Sequence, residues 1–182
     1  TIDIQKVKEL NPDLIIANKE ENVKEQIDQL AAQFPVWLTD INNLDDALQM
    51  ISDIGELINK IPQATLLIKD IVREFEKLQP IDTAACNSKT IPTPAAYLIW
   101  KNPYMTIGSG TFINDMLQKA GFQNVFAHKQ RYPEITIQEI QESNCKILLL
   151  SSEPYPFKQK DLEELMLLLP GIKIILADGE MF

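Results

Sequence analysis

Cysteine and histidine are scarce in this sequence, and neither is arranged for chemistry. There are two cysteines, Cys86 and Cys145, and one histidine, His128, among 182 residues. The cysteines lack metal-ligand or redox spacing. His128 has no neighbouring partner for a triad or a zinc site, so we interpret it as a loop residue. Cys145 opens an apolar run and is expected to be a small buried hydrophobe, whereas Cys86 falls in a polar loop.

Long apolar runs and basic clusters are also lacking. No run approaches the length that spans a bilayer, and no N-terminal stretch has the pattern of a signal peptide, so any export signal has been removed or left out. Composition alone is equally compatible with a cytoplasmic protein. The formal net charge is −9, and without a basic face to displace phosphate counterions we expect no nucleic-acid partner.

Catalytic motifs are not found either. Gly108-Ser109-Gly110 lacks the length and the lysine of a phosphate-binding loop, and no Gly-x-Ser-x-Gly elbow occurs. Paired carboxylates are interpreted as solvated helix ends, where the helix dipole favours them; the pairs are Glu20-Glu21, Asp45-Asp46 and Glu163-Glu164. The sequence therefore predicts no catalytic residue, no metal site and no resident cofactor.

What the sequence does contain is an alternation of strands and helices, interrupted once by two consecutive helices. Apolar runs of buried-strand type and helical stripes predict an α/β fold with mainly parallel strands in the C-terminal half. Asn43 and Pro62 mark the starts of the two consecutive helices. Thr136 and Glu139 form a capping box, and Gly121 ends a helix. The predicted strands are 14–17, 36–38, 96–100, 147–151 and 173–177.

The predicted organisation is two doubly wound lobes joined by a helix. Residues 1–62 form a partial N-terminal lobe, 63–80 the linking helix and 81–182 the C-terminal lobe. The proline-rich loop from Pro80 to Pro94 is the best boundary. Two strands are too little sheet for an N-terminal layer, and no helix follows the last strand. We therefore expect a fragment that lacks strands before Thr1 and a helix after Phe182.

Aromatic residues gather where the strands of this arrangement end. In a doubly wound lobe, ligands meet the loops at the carboxyl ends of the strands. Aromatic side chains in such loops suit a large, flat, partly apolar ligand, although rings can also simply pack under the loops. The residues concerned are Trp100, Tyr104, Tyr132, Tyr155, Phe157 and Phe182.

Six segments of the chain resemble the helical-backbone metal receptor family. They are NPDLIIANKEEN (11–22), AYLIWKNPYM (96–105), GTFINDML (110–117), RYPE (131–134), SSEPYPF (151–157) and DGEMF (178–182). The family comprises binding proteins for cobalamin, ferric siderophores and haem that feed ABC importers. Its two lobes are joined by one long helix, which corresponds here to Ala64–Leu78. The resemblance spans nearly the whole chain.

The resemblance implies a set of site residues. The ligand-contacting positions that carry over are Asn18, Lys19, Trp100, Tyr104, Met105, Tyr132, Tyr155 and Phe157. In relatives, an acidic residue on each lobe docks against arginines of the permease. Glu153 matches the second-lobe position, and Glu21 is chosen for the first, although local alignment also allows Lys24 or Glu25. In the cobalamin-binding relative a tryptophan stands where this chain has Asn18.

The resemblance thus implies a substrate-binding protein of an ABC importer. It would capture a corrinoid or a ferric siderophore between two lobes and deliver it to a permease, and haem fits less well without a cleft histidine. We expect a monomeric non-enzyme at the periplasmic or extracellular face, with a lipoprotein anchor as one option. The alternatives are a cytoplasmic α/β enzyme with its active site in the missing segment, or a non-transport sensory domain of the same fold.

Overall fold

The computed structural model describes residues 2–78 and 91–179, and the chain forms two compact units, residues 1–41 and 42–182. The helices are α1 (Ile4–Leu10), α2 (Lys24–Ala31), α3 (Leu44–Leu57), α4 (Ile61–Glu76), α5 (Phe112–Lys119), α6 (Ile137–Glu142) and α7 (Gln159–Leu168). The strands are β1 (Ile15–Asn18), β2 (Val36–Thr39), β3 (Thr93–Trp100), β4 (Tyr104–Thr106), β5 (Phe122–Asn124), β6 (Glu134–Ile135), β7 (Ile147–Ser151) and β8 (Lys173–Ala177).

The first unit is built around a parallel pair of short strands. β1 pairs with β2 in a register that sets Asn18 opposite Thr39. The Thr39 hydroxyl donates to the carbonyl of Ala17 at 3.0 Å, and Ile27 and Leu30 of α2 are buried with Ala17. Because the two strands run in the same direction, their carboxyl ends lie side by side, and Asn18 stands at that edge.

The second unit opens with the helix pair α3 and α4. The Asn43 side chain accepts a hydrogen bond from the Asp46 N–H at 2.9 Å and caps α3 as predicted. A Cβ placed on Gly55 would lie 2.4 Å from the Cβ of Ala64, so only glycine allows this close approach of the two helices. Helix α4 begins at Ile61, with a proline in its first turn as predicted.

A six-stranded mixed sheet forms the rest of the second unit. The strand order is β6-β4-β3-β7-β8, and β5 pairs with the first half of β3. β3, β5, β7 and β8 are parallel, whereas β4 runs antiparallel to both β3 and β6. The register sets Leu98 opposite Leu150 and Ser151 opposite Ala177. The carboxyl ends of β3, β7 and β8 therefore share one edge of the sheet.

Apolar side chains cover both faces of this sheet, because successive residues of a strand point to opposite faces. Residues such as Leu98 and Leu150 pack with Ile140 of α6 and Leu165 of α7 in one core cluster, which we call the α7-side core. Their neighbours in sequence, Tyr97, Ile99 and Leu149, form a second cluster with Ile107 and with Leu117 of α5. We call this cluster the α5-side core. Helices on both faces of a mainly parallel sheet confirm the predicted α/β class.

The differences from the predicted elements lie in short strands. β4, β5 and β6 contain two or three residues each and were not among the predicted strands. β3 begins at Thr93, so Pro94 belongs to a strand. Most of the predicted boundary loop, 79–90, and with it Cys86, lies outside the described residues. The predicted lobe boundaries at 62 and 80 stay predictions.

Two single-residue predictions are confirmed. Cys145 is 4% exposed, and burial raises the pKa of its thiol to about 11. His128 is an exposed residue of a turn.

Among the described residues, no helix combines the length and the apolar character needed to cross a membrane.

Candidate functional site

The turn between β3 and β4 brings Trp100 to the surface. Residues Ala95 to Ile99 of β3 are buried, but Trp100, the last residue of the strand, is 39% exposed. The pairing with β4 shifts register between Leu98 and Trp100. In the turn, Asn102 adopts φ 64°, a left-handed conformation that asparagine tolerates. The strand thus ends with a large ring projecting at the carboxyl edge of the sheet.

The loop after β7 supplies the neighbouring rings. The Tyr155 N–H donates to the carbonyl of Ile99 at 3.2 Å and ties this loop to β3. The Tyr155 ring stands edge-on to Trp100, with 5.8 Å between centroids, and edge-on to Phe157 at 4.7 Å. Edge-to-face pairs at these separations are favourable. We call Trp100, Tyr155 and Phe157 the aromatic row.

The aromatic row runs from the core to the surface. Phe157 is 5% exposed and belongs to the α7-side core. Tyr155 is half-buried, and Trp100 has the largest exposed fraction of the three. A ring that is nearly covered offers little area to a ligand. Phe157 therefore supports Tyr155 from below, and its predicted contact with a ligand stays a prediction.

Tyr104 lies on the same side of the sheet as the aromatic row. It is half-buried and packs against the α7-side core together with Tyr155. Burial raises the pKa of Tyr104, an effect that the positive charge of Lys101 opposes. Its phenol is therefore protonated at neutral pH and can donate a hydrogen bond beside the exposed rings.

Met105 and Tyr132 lie on the other side of the sheet. Both pack against the α5-side core. The guanidinium of Arg131 lies 5.9 Å from the centroid of the Tyr132 ring, a cation–aromatic contact. The structure thus brings Trp100, Tyr104 and Tyr155 together but separates Met105 and Tyr132 from them by the thickness of the sheet. The ligand contacts of Met105 and Tyr132 remain predictions.

Beside the aromatic row lies an ion cluster that sequence reasoning missed. The Lys101 ammonium contacts Asp161 Oδ1 at 2.9 Å and Glu164 Oε2 at 2.6 Å. Side-chain exposure is 10% for Lys101 and 2% for Asp161. The hydrogen bonds that Lys101 donates to Glu164 and Asp161 raise the pKa of its ammonium group, so Lys101 is charged. Burial alone would raise the pKa of Asp161, but hydrogen bonds from Lys101 and the Lys158 N–H lower it.

The ion cluster corrects one interpretation of the sequence, and no local sequence pattern predicted it. Glu164 is exposed, as expected, but it lies within α7 rather than at a helix end and pairs with a nearly buried lysine. Lys101 and Asp161 are 60 positions apart in sequence. Only the pairing of β3 with β7 brings the turn after β3 close to α7.

Glu153 is held by a small hydrogen-bond network at the ends of β7 and β8. Its N–H donates to Ser151 Oγ at 3.3 Å, and the buried Tyr97 hydroxyl lies 3.0 Å from the same oxygen. A Cβ on Gly179 would lie 2.7 Å from Ser151 Oγ and 2.9 Å from the Glu153 nitrogen. The Glu153 backbone is thus closely packed, while the residue itself is exposed. Its docking role stays a prediction.

In the first unit, Asn18 and Lys19 follow β1 and are exposed. Asn18 Oδ1 accepts the Glu20 N–H at 2.8 Å, and its own N–H donates to Asn22 Oδ1 at 2.8 Å. These bonds fix the turn locally, as asparagine commonly does. The Lys19 ammonium forms an ion pair with Asp40. Both residues remain predicted ligand contacts.

The three candidates for first-unit docking differ in their surroundings. Glu21 is exposed in the turn after β1, and Glu25 is exposed in the first turn of α2. The Lys24 ammonium contacts Asp28 at 2.6 Å, one turn further along the same helix. The choice of Glu21 stays a prediction.

Comparison with known proteins places the chain in a family. Residues 1–168 match the family model described as "Periplasmic binding protein". The Vitamin B12-binding protein of Pectobacterium atrosepticum is 23% identical over 141 residues, which are 76% of this chain and 50% of that protein. The chain therefore spans half the length of this relative.

Solved structures show the same fold. A periplasmic heme-binding protein from Pseudomonas aeruginosa matches with a TM-score of 0.80 and 16% identity, over 100% of this chain and 68% of that chain. An ABC transporter substrate-binding protein from Listeria monocytogenes matches with a TM-score of 0.79 and 18% identity, over 99% of this chain and 72% of that chain. The resemblance seen in the sequence is confirmed by these matches. The chain belongs to the periplasmic binding protein family.

Proposed function

We propose that this chain is the substrate-binding part of an ABC importer and captures a metal chelate, either a corrinoid or a ferric siderophore. The observation that carries the proposal is the exposure of Trp100 next to Tyr155, beside Tyr104, at the carboxyl edge of the sheet. In open α/β sheets, ligands bind outside this edge. Asn18 and Lys19 of the first unit belong to the proposal as predicted contacts.

The chemistry of this surface suits a large organic chelate. An exposed indole beside a half-buried phenol ring presents apolar area, and Tyr104 adds a protonated hydroxyl that can orient a polar group. Each ring that stacks on a macrocycle or an aryl chelator contributes on the order of 1 kcal/mol beyond simple burial. Macrocycles and iron chelators offer the flat or rounded surfaces that such contacts require.

The relatives support binding rather than catalysis as the role. One is named for binding vitamin B12, one for binding heme, and one as the substrate-binding protein of an ABC transporter. A protein of this family works outside the cytoplasmic membrane, so we place this chain at the periplasmic or extracellular face, with lipoprotein anchoring as part of the proposal. In the proposal it acts as a monomer and is not an enzyme.

Delivery to a permease is the second part of the proposal. Glu153 is exposed on a closely packed loop, and an exposed ion pair adds only about 0–1 kcal/mol within a folded monomer. Against an arginine of a permease, the same carboxylate can form a bidentate, charge-assisted pair that also fixes orientation. Glu21 is the proposed counterpart in the first unit.

Visible absorbance of the purified protein tests the proposal. Cobalamin, a ferric trishydroxamate, a ferric triscatecholate and haemin are added separately, and their bands are followed after removal of free ligand. The corrinoid or one of the ferric siderophores should stay with the protein in a 1:1 ratio. Retention of none of the four, or of haemin alone, by folded protein would contradict the proposed function.

A further inference from the structure

Lys101 occupies a position between the two segments that carry the exposed aromatic residues. It follows Trp100 directly and precedes Tyr104 by three positions in the same turn. Its side chain is only 10% exposed. Lysine is almost never buried without a partner. The partners of Lys101 therefore decide how this turn is held.

Both partners belong to α7, the helix that follows the aromatic row. Asp161 Oδ1 and Glu164 Oε2 lie 2.9 and 2.6 Å from the Lys101 ammonium. The second oxygen of Asp161 accepts the Lys158 N–H at 2.9 Å, which ties it to the residue next to Phe157. One carboxylate thus joins the turn after β3 to the end of the loop that carries Tyr155.

We propose that Lys101 is a positioning residue for the binding surface: it fixes Trp100 and Tyr104 relative to Tyr155 through Asp161 and Glu164. The inference rests on the proposed function. Directional N–H···O bonds allow one arrangement of the turn, which an apolar side chain would not impose. A surface fixed before the ligand arrives loses less conformational entropy on binding. Lys101 therefore raises ligand affinity without touching the ligand.

A role of Lys101 in stability alone can be distinguished from the positioning role. A buried ion pair often adds little net stability compared with apolar residues of similar volume. Removal of Lys101 alone would leave Asp161 as an uncompensated buried charge and could unfold the protein. The informative variant is therefore the pair Lys101→Met/Asp161→Asn, which removes both charges and keeps an oxygen that can accept the Lys158 N–H.

The first experiment is a double-mutant cycle on chelate affinity. Lys101→Met/Asp161→Asn should keep a near-normal melting temperature and bind the retained chelate about tenfold more weakly. In a Trp100→Ala background the same pair of changes should have a clearly smaller effect than in wild type, because it acts in part through Trp100. The control is Lys129→Met, which removes the partly covered ion pair between Lys129 and Glu139 in the same unit. It should leave affinity unchanged.

The second experiment needs no ligand. Trp37 and Trp100 are the two tryptophans of the chain, so Trp37→Phe leaves Trp100 as the only indole. In that background, Lys101→Met/Asp161→Asn should lower the steady-state fluorescence anisotropy of Trp100 and increase its quenching by acrylamide. Lys129→Met should change neither value.

The outcomes separate this inference from the proposed function. Unchanged affinity and anisotropy in a folded paired variant would overturn the positioning role, and so would a loss of affinity that adds fully to that of Trp100→Ala. Failure of wild-type protein to bind any chelate would overturn the proposed function instead. The anisotropy of Trp100 would then still decide whether Lys101 positions it.

Discussion

Replacing Trp100 with alanine should weaken chelate binding by tenfold or more and leave the fold intact. Trp100 is 39% exposed at the end of β3, whereas the five residues before it are buried. Its contact with the rest of the protein includes the edge-on Tyr155 ring at 5.8 Å. The ring therefore keeps exposed area that a ligand can cover.

The magnitude follows from the exposed area. A tryptophan side chain buries about 150–250 Å² when fully covered, so 39% exposure leaves roughly 60–100 Å² for a ligand. At about 25 cal/mol per Å², covering this area contributes about 1.5–2.5 kcal/mol at most. Stacking geometry adds on the order of 1 kcal/mol. Since about 1.4 kcal/mol is a factor of ten, the loss in Kd is roughly 10-fold at the lower end of burial alone and up to roughly 300-fold when stacking is included.

Isothermal titration with the retained chelate measures the affinity, and urea unfolding measures the stability of the same variant. The variant should remain folded but lose about 3–5 kcal/mol of stability, because the covered part of the ring, roughly 90–150 Å², contributes about 2–4 kcal/mol and the aromatic pair about 0.5–1.5 kcal/mol. The control is Leu167→Ala, because Leu167 is an 85% exposed apolar residue at the far end of α7; both values should stay unchanged. Normal affinity in the folded variant would show that the ligand does not cover this ring and would refute the reasoning.

Three further predictions concern docking, packing and pH. Glu153→Ala and Glu21→Ala should leave stability and chelate affinity nearly unchanged but reduce uptake of labelled chelate by cells, most strongly when combined; normal uptake in the double variant would remove the docking role. Gly55→Ala should destabilise the protein to urea by about 1–3 kcal/mol, since its Cβ would lie 2.4 Å from that of Ala64, and an unchanged midpoint would be inconsistent with this packing. The pKa of Asp161 is lowered in the folded state, so the ionised carboxylate stabilises the folded protein. This contribution is complete above the unfolded pKa of about 3.9 and is lost as pH falls through the folded pKa. Urea midpoints between pH 6 and 3 should therefore fall less steeply in Asp161→Asn than in wild type, and identical slopes would argue against the ion cluster.

Local signals account for the parts of the fold that were predicted. The bounds of β7 and β8 follow from apolar runs of buried-strand type, and the cap of α6 follows from Thr136 and Glu139, which interact over three positions. β4 and β6 were missed because strands of two or three residues have no periodicity of their own. Their pairing with β3 and with each other creates them.

The site shows the same division. Trp100 and Tyr155 were selected because the first ends a strand and the second follows one, and parallel strands end at one edge. Position after a strand does not reveal which ring faces solvent, so Phe157 was selected too, although it lies in the core. The family resemblance, which grouped Met105 with Tyr104, does not reveal on which face of the sheet each residue lies. The Lys101–Asp161 pair is a tertiary contact without any local pattern.

Amide hydrogen exchange with and without the retained chelate tests most directly whether the ligand lies on the exposed aromatic surface. Binding there should slow exchange in the turn 100–104 and the loop 152–157, including the Tyr155 N–H that donates to Ile99. Segment 120–130, which lies between α5 and β6, should be unaffected. Slower exchange in 120–130 alone, with 100–104 and 152–157 unchanged, would contradict the proposed binding surface.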